Sequence, residues 1–270
     1  MKMGIVQGRL LSPVNGFIQK FPEENWRKEF ELLPALGLTH IEWLVTKERF
    51  LTNPLFTEKI SGLPITAFGL DIMNNSEIVN GEFFRKHMFP LAEAVLNQGY
   101  DKLSLPLLEH STLRDKATFT KVRAFIHDLL HRYQNLKISV EVDLSHPEHV
   151  LPLIDHERMF LTHDIGNYTA TSCKDFQGGS CWYAHQNFLE AIYYAGKLDC
   201  IHLKDKNYAG QNVPPGKGNS PFRDILKWLS TRDLSDVLFT LQTAREKPGE
   251  EIATIENYMK YFEDYEKQSV

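Results

Sequence analysis

The sequence predicts an α/β protein folded as a single (β/α)8 barrel, and three observations predict it. Eight short runs rich in β-branched and aromatic residues recur along the 270 residues, each about 25 to 40 residues from the next, which leaves room for one helix between strands. Amphipathic helical stretches fill the intervals. The connections are unequal: short and glycine-marked where a helix leads into a strand, longer and polar where a strand leads into a helix.

In order, the strand runs are MGIVQG (3–8), HIEWLV (40–45), ITAFGLDI (65–72), KLSLPLL (102–108), KISVEVDL (137–144), MFLTHDI (159–165), CIHLK (200–204) and VLFTLQ (237–242). Between the first and second, Trp26, Phe30 and Leu33 repeat at helical spacing. Between the fourth and fifth, Val122, Ile126, Leu129, Leu130 and Tyr133 do so, and before the seventh, Phe188, Ile192 and Ala195. This periodicity marks the core-facing stripes of an outer helical ring. Gly37, Gly62, Gly99 and Gly196 end helices in the left-handed conformation at little steric cost. The longest strand-to-helix links are 169–182 and 206–221, and in such barrels the loops on that side build the active site. No linker divides the chain, so residues 1–270 are expected to form one domain.

Composition bounds the function. A hydrophobic fraction of 42% and a charged fraction of 24% are ordinary for a globular protein. A net charge of −5 argues against nucleic acid as a partner, which needs a basic face. No apolar run reaches the roughly 18 residues of a membrane helix, and Gln7, Gly8 and Arg9 interrupt any signal-like stretch. The three cysteines, Cys173, Cys181 and Cys200, form no CxxC pair and leave an odd thiol, so a reducing cytoplasm is the simplest compartment, with a contribution of Cys173 and Cys181 to a metal site as the minor alternative.

The polar residues at the strand ends carry the chemistry. In IHLKDKN (201–207), if Ile201 and Leu203 pack outward, His202 and Lys204 alternate into the barrel lumen. Glu141 sits between Val140 and Val142, where a carboxylate is costly unless paired or bound to a cation. Asp164 and Asn167 follow the sixth strand, and Asp164 equally suits a cap on the following turn. His163 alternates away from Asp164 and reads as packing. Gln242 ends the eighth strand. Mixed oxygen and imidazole donors on four successive strands suit Mn, Mg, Co or Zn rather than a thiolate-loving metal.

At this point the chain resembles the xylose isomerase-like TIM barrels, specifically the sugar phosphate isomerase/epimerase group that includes endonuclease IV. MGIVQGRL, THIEWL, SVEVDL, HDIGN, IHLKDKN, PPGKGNSPF and LQTAR carry the resemblance over nearly the whole length. It implies one divalent metal ion held by Glu141, Asp164 and His202, with the fourth position, a glutamate in the family, falling on Gln242. In the family's epimerases the first and last glutamates move a proton on and off the carbon beside a carbonyl that the metal polarises. An amide cannot accept and return a proton. Three outcomes stay open: a one-base isomerase using Glu141, a metal-dependent lyase or dehydratase with another base, or a ligand-binding barrel without turnover. By strand position Lys204 and Glu109 are the nearest substitute acid–base groups. Desolvation would suit Lys204 to that role; a salt bridge to Asp205 or Glu141 is the alternative.

Other residues suit the substrate. Arg245 offers a planar fork to a phosphate or carboxylate. Lys217, between two glycines in PPGKGN, suggests backbone N–H groups and an ammonium around an anion, although a mobile lid accounts for the loop equally well. Gln7 and Arg9 end the first strand, and Glu42 resembles the family's sugar-binding acid in the second. Glu109 follows the fourth strand and Asn167 the sixth. The expected function is a metal-dependent isomerase or epimerase of a small sugar, sugar phosphate or related keto-acid. A repair nuclease of the endonuclease IV kind is disfavoured, because Asp164-Ile-Gly-Asn167 replaces the histidine-bearing DxxH. The expected partner is a small-molecule sugar, and the resemblance implies a homodimer.

Overall fold

Eight parallel strands close into a barrel, each beside its predecessor, with the last returning to the first. They are β1 (Met3–Val6), β2 (His40–Leu44), β3 (Ile65–Gly69), β4 (Lys102–Leu107), β5 (Lys137–Val142), β6 (Met159–Asp164), β7 (Leu198–Leu203) and β8 (Leu238–Leu241). The structure is a computed structural model and describes residues 1–13, 19–74, 79–144, 146–173, 180–242 and 249–268. Each strand falls within its predicted run, or in β7 begins two residues earlier.

The main helices are α1 (Trp26–Leu32), α2 (Phe89–Asn97), α3 (Lys116–Arg132), α4 (Ile165–Ser172), α5 (Ser180–Tyr194), α6 (Phe222–Ser230) and α7 (Glu251–Gln268). α3 starts where the Asp115 carboxylate accepts the Thr118 N–H at 2.7 Å, satisfying one of the helix's unpaired donors. It then buries Val122, Ile126, Leu129 and Leu130, about 1.5–3 kcal/mol for each fully buried side chain. Gly37, Gly62, Gly99 and Gly196 all have positive φ, between 67° and 89°, the backbone their turns require. A residue with a Cβ is strained there.

One expectation is corrected. The stretch 169–182 is not all loop, because α4 runs to Ser172 and α5 begins at Ser180. The reason is local: Asp164 caps α4 by accepting the Asn167 N–H at 2.6 Å, so the chain enters a helix as soon as β6 ends.

Strand register sets the layers of the lumen. Thr240 on β8 and Asp164 on β6 both lie opposite His202 on β7. At the floor the His40 ring fills the space at Gly4, where a Cβ would come within 2.2 Å of it; only glycine fits. Above it Ser139 and Thr162 hydrogen-bond at 2.8 Å. The strands' outward residues, among them Ile5, Leu103, Ile201, Leu203 and Leu241, are buried beneath the helices. Polar side chains therefore have one place left to gather, the mouth at the strand C-termini.

Candidate active site

Three strand ends converge there. Glu141 from β5, Asp164 from β6 and His202 from β7 are all buried, and one ligand atom of each lies within 4.8 Å of the others. His202 Nδ1 is 3.4 Å from Glu141 Oε2 and 3.9 Å from Asp164 Oδ2. Glu42 holds the other face of the ring, its Oε2 2.8 Å from His202 Nε2. Asn167, one turn into α4, donates Nδ2–H to Glu141 Oε1 at 2.5 Å. Each carboxylate thus has one oxygen fixed by the protein and one facing the centre.

Lys204 supplies a cation at the same place. Its ammonium lies 2.7 Å from Asp164 Oδ2 and also donates a hydrogen bond to Gln242 Oε1. The expected bridges to Glu141 or Asp205 are replaced by this pair. Asp205 points the other way, and the cause lies in the following loop: its Oδ2 accepts the N–H groups of Gly216 and Gly218 at 2.9 Å each, and its Oδ1 that of Ser220 at 3.2 Å.

The charges tune one another. Burial opposes a charge on His202, but the Glu42 carboxylate, with contacts to Cys200 and Glu141, holds its pKa well above the usual imidazole value. Burial likewise opposes charge on Glu42 and Glu141, and His202 outweighs it, keeping both below the ordinary carboxylate range. His163, outside the lumen, is driven by burial to about 4; it stacks on Tyr168 and Phe188, as packing predicts.

A divalent cation fits this set. Asp164 Oδ2 and His202 Nδ1 are buried without a hydrogen bond, the Asp164 oxygen having an ion pair to Lys204 and the longer contact to His202 itself. Two unsatisfied buried donors and acceptors aimed at one point are rare in proteins. Carboxylate oxygens plus an imidazole that gives up its Nδ1 proton on binding are ligands for Zn²⁺, Mn²⁺ or Mg²⁺. The centre opens on a cavity of about 640 Å³ lined by Glu42, Glu109, Glu141, Asn167, His202, Lys204 and Gln242, among others. That is the size range of small-molecule sites.

Solved structures share this architecture. A xylose isomerase domain protein from Planctomyces limnophilus is 13% identical, with 99% of this chain and 98% of that chain covered and a TM-score of 0.69. The IolI protein with a binding zinc atom is 17% identical, with 100% and 99% covered and a TM-score of 0.65. An L-ribulose 3-epimerase is 13% identical, with 99% and 95% covered and a TM-score of 0.66. No protein-family model and no curated protein matches the chain. The chain shares the (β/α)8-barrel fold of these proteins.

Within that barrel the sequence-predicted residues separate. Glu42, Glu109, Glu141, Asn167, His202, Lys204 and Gln242 line the cavity, and Asp164 sits behind Lys204. Glu109 is exposed at the rim in the left-handed conformation, φ 49°. Gln7 is buried beneath the mouth, where its Oε1 accepts the Leu44 N–H at 3.1 Å. Buried Arg9 donates to Gln19 Oε1 at 2.7 Å, and Gln19, not Arg9, reaches the cavity wall. Lys217 is exposed and does not line the cavity. Its loop cannot form the expected anion cradle as it stands, because Gly216 and Gly218 already donate to Asp205. Arg245 lies outside the described residues.

Other cavity residues escaped sequence reading. Lys206 lies on the same side as Lys204 and lines the cavity, its pKa lowered by burial and then by Lys204; the alternation that placed His202 and Lys204 inward would have found it. Arg114 and Asp143 pair at 3.0 Å on the rim. They come from separate loops, and no local pattern announces them. Cys173 and Cys181 are joined by a disulfide, and Cys200, the odd thiol, is free and buried. The end of α4 and the start of α5 bring the two Cα atoms to 5.0 Å, a proximity the spacing of the cysteines did not reveal.

Proposed function

We propose that the chain is a divalent-metal-dependent isomerase or epimerase of a small sugar or related keto-acid. The observation that carries this is the convergence of Glu141, Asp164 and His202, with two buried atoms left without hydrogen bonds, at the floor of an open polar cavity. Structural likeness to an L-ribulose 3-epimerase and to a zinc-bound IolI protein supports it.

Glu141, Asp164 and His202 would hold the ion, while the Gln242 carbonyl oxygen accepts a hydrogen bond from Lys204. When bound, the ion supplies a Lewis acid that polarises a carbonyl. Glu42 orients the His202 ring through Nε2, leaving Nδ1 toward the centre, as outer-sphere carboxylates do for metal-binding histidines. Asn167 fixes one oxygen of Glu141, and the depressed pKa keeps that carboxylate ionised and able to take a proton from the carbon beside the carbonyl. Lys204 and Lys206 place positive charge where the substrate oxygens become negative. Glu141 returns the proton to the neighbouring, former carbonyl carbon, while the hydroxyl proton of the first carbon passes to solvent and the new hydroxyl takes one from it. This is a one-base aldose–ketose isomerisation; epimerisation would need a second group on the opposite face.

A second reading, a lyase or dehydratase, is favoured by the contact between Lys204 and Gln242. Gln242, which takes the place the resemblance gives to a second carboxylate, has its carbonyl oxygen bound by the Lys204 ammonium, and that ammonium suits protonation of a departing hydroxyl.

Incubation of the metal-loaded protein with candidate ketoses in D2O separates these readings. Deuterium uptake beside the carbonyl without loss of water, falling at least 100-fold in Glu141→Gln, supports the isomerase. Water loss instead supports the lyase. Deuterium uptake that survives Glu141→Gln refutes Glu141 as the base.

A further inference from the structure

A second cluster of metal-ligating side chains lies outside the barrel. Cys173 caps the C-terminus of α4, and Cys181 and His185 lie one turn apart on α5. That i, i+4 spacing puts the last two on one helix face. All three are buried, His185 completely, and a nitrogen of His185 lies within 4.8 Å of both sulfurs. The ring is held in place: Nδ1 is 3.1 Å from His163 Nε2, and Nε2 is 3.0 Å from Thr169 Oγ1. Burial keeps the imidazole neutral, the form that binds metals. The cysteines are joined in a disulfide.

We propose that, once this disulfide is reduced, Cys173, Cys181 and His185 form a second site for a thiophilic divalent ion of the Zn²⁺ class. The chemistry differs from that at the barrel mouth: two thiolates and an imidazole select Zn²⁺ over Mg²⁺ or Mn²⁺, whereas the carboxylate-rich set does not. The electrons balance with a dithiol reductant. It gives two electrons and two protons to the S–S bond, becomes a cyclic disulfide, and leaves two cysteine thiols. Metal binding then releases both thiol protons. His185 gives up one of its two hydrogen bonds to ligate and keeps the other, which orients the ring as an outer-sphere partner does. The three side chains leave a fourth position for water, as three-ligand zinc sites do. The cluster sits at the far end of the helix whose first turn carries Asp164 and Asn167.

The test compares the full chain as purified with the chain reduced by a dithiol and desalted without oxygen. Each is titrated with Zn²⁺ against a chromogenic chelator and, separately, with Co²⁺. The reduced chain should bind one more Zn²⁺ than the oxidised chain and alone give near-ultraviolet thiolate-to-Co²⁺ absorption. Cys173→Ser should bind no extra ion even when reduced, and His185→Ala should weaken that ion at least tenfold. Asp164→Asn should affect only the other ion, so failure here is distinct from failure of the mouth site. If Cys173→Ser does not fold, the comparison of the two redox states of the parent decides alone. Equal Zn²⁺ counts without the thiolate absorption overturn the site. So does loss of far-ultraviolet circular dichroism on reduction, which would make the disulfide purely structural.

Discussion

Removing the Lys204 ammonium should destabilise the protein and let a divalent ion restore it. In Lys204→Met the side chain keeps its length and loses its charge. Asp164, whose side chain is 0% exposed, is left with a carboxylate oxygen that has no hydrogen bond and faces only the more distant His202 Nδ1, at 3.9 Å. Breaking one side of a buried pair of this kind costs about 3–5 kcal/mol. At about 2 °C per kcal/mol for a chain of this length, melting in chelator should fall by roughly 6–10 °C. An ion that takes Asp164 Oδ2 supplies the missing charge, and at 100 times its Kd it returns about 2.7 kcal/mol. The variant should also bind Mn²⁺ more tightly than the parent, because the oxygen is no longer shared. Melting curves with chelator and with graded Mn²⁺, together with calorimetric titration, measure both effects. Unchanged melting in chelator would refute the buried pair. Equal stabilisation of parent and variant by Mn²⁺, at equal affinity, would refute competition for Asp164.

Three further outcomes are expected. Burial holds His40 and His163 at about 4, so between pH 6.5 and 4 the unfolded chain binds protons that the folded chain refuses. Stability then falls with pH by roughly 3 kcal/mol for each histidine across that window. His202 has the opposite sign: raised in the metal-free protein, it contributes stability below pH 6.5 that is lost as pH climbs through its folded value, and urea midpoints from pH 4.5 to 9 in chelator check both slopes. Gln242→Glu adds a ligand charge and should tighten divalent binding about tenfold; unchanged affinity would place residue 242 outside the coordination set. Gly218→Ala puts a Cβ 2.2 Å from Asp205 Oδ1 and 2.6 Å from the Lys206 carbonyl oxygen, so thermal stability should drop by about 2–4 kcal/mol, with new proteolytic cleavage within 206–221.

Much of this was legible in the sequence because it rests on periodicity. A strand alternates with period two, so fixing Ile201 and Leu203 outward fixes His202 inward whatever surrounds them. Gly37, Gly62, Gly99 and Gly196 announced their turns through backbone sterics alone. What was not legible depends on distances between segments far apart in the chain. Lys204 chose Asp164 over Glu141 because β6 and β7 are neighbours and put Asp164 level with His202. The Lys217 loop looked like an anion site because its composition is right, yet its N–H groups are taken by a carboxylate eleven to fifteen residues earlier. The α4 helix hid because Thr169, Thr171, Ser172 and Cys173 are weak helix formers, carried by the cap at Asp164.

The loop that Asp205 holds is closed to an outside anion by its own hydrogen bonds. A glycine-rich turn with an ammonium at its tip is a usual way to admit a phosphate ester. Here a built-in carboxylate fills the inner side of that turn, and a phosphate arriving there meets negative charge. Lys206 and Arg114 are the described cations that line the cavity besides Lys204, and Arg114 is shared with Asp143. Held this way, the loop has the inward N–H groups of Gly216, Gly218 and Ser220 spent within the chain rather than offered to an anion.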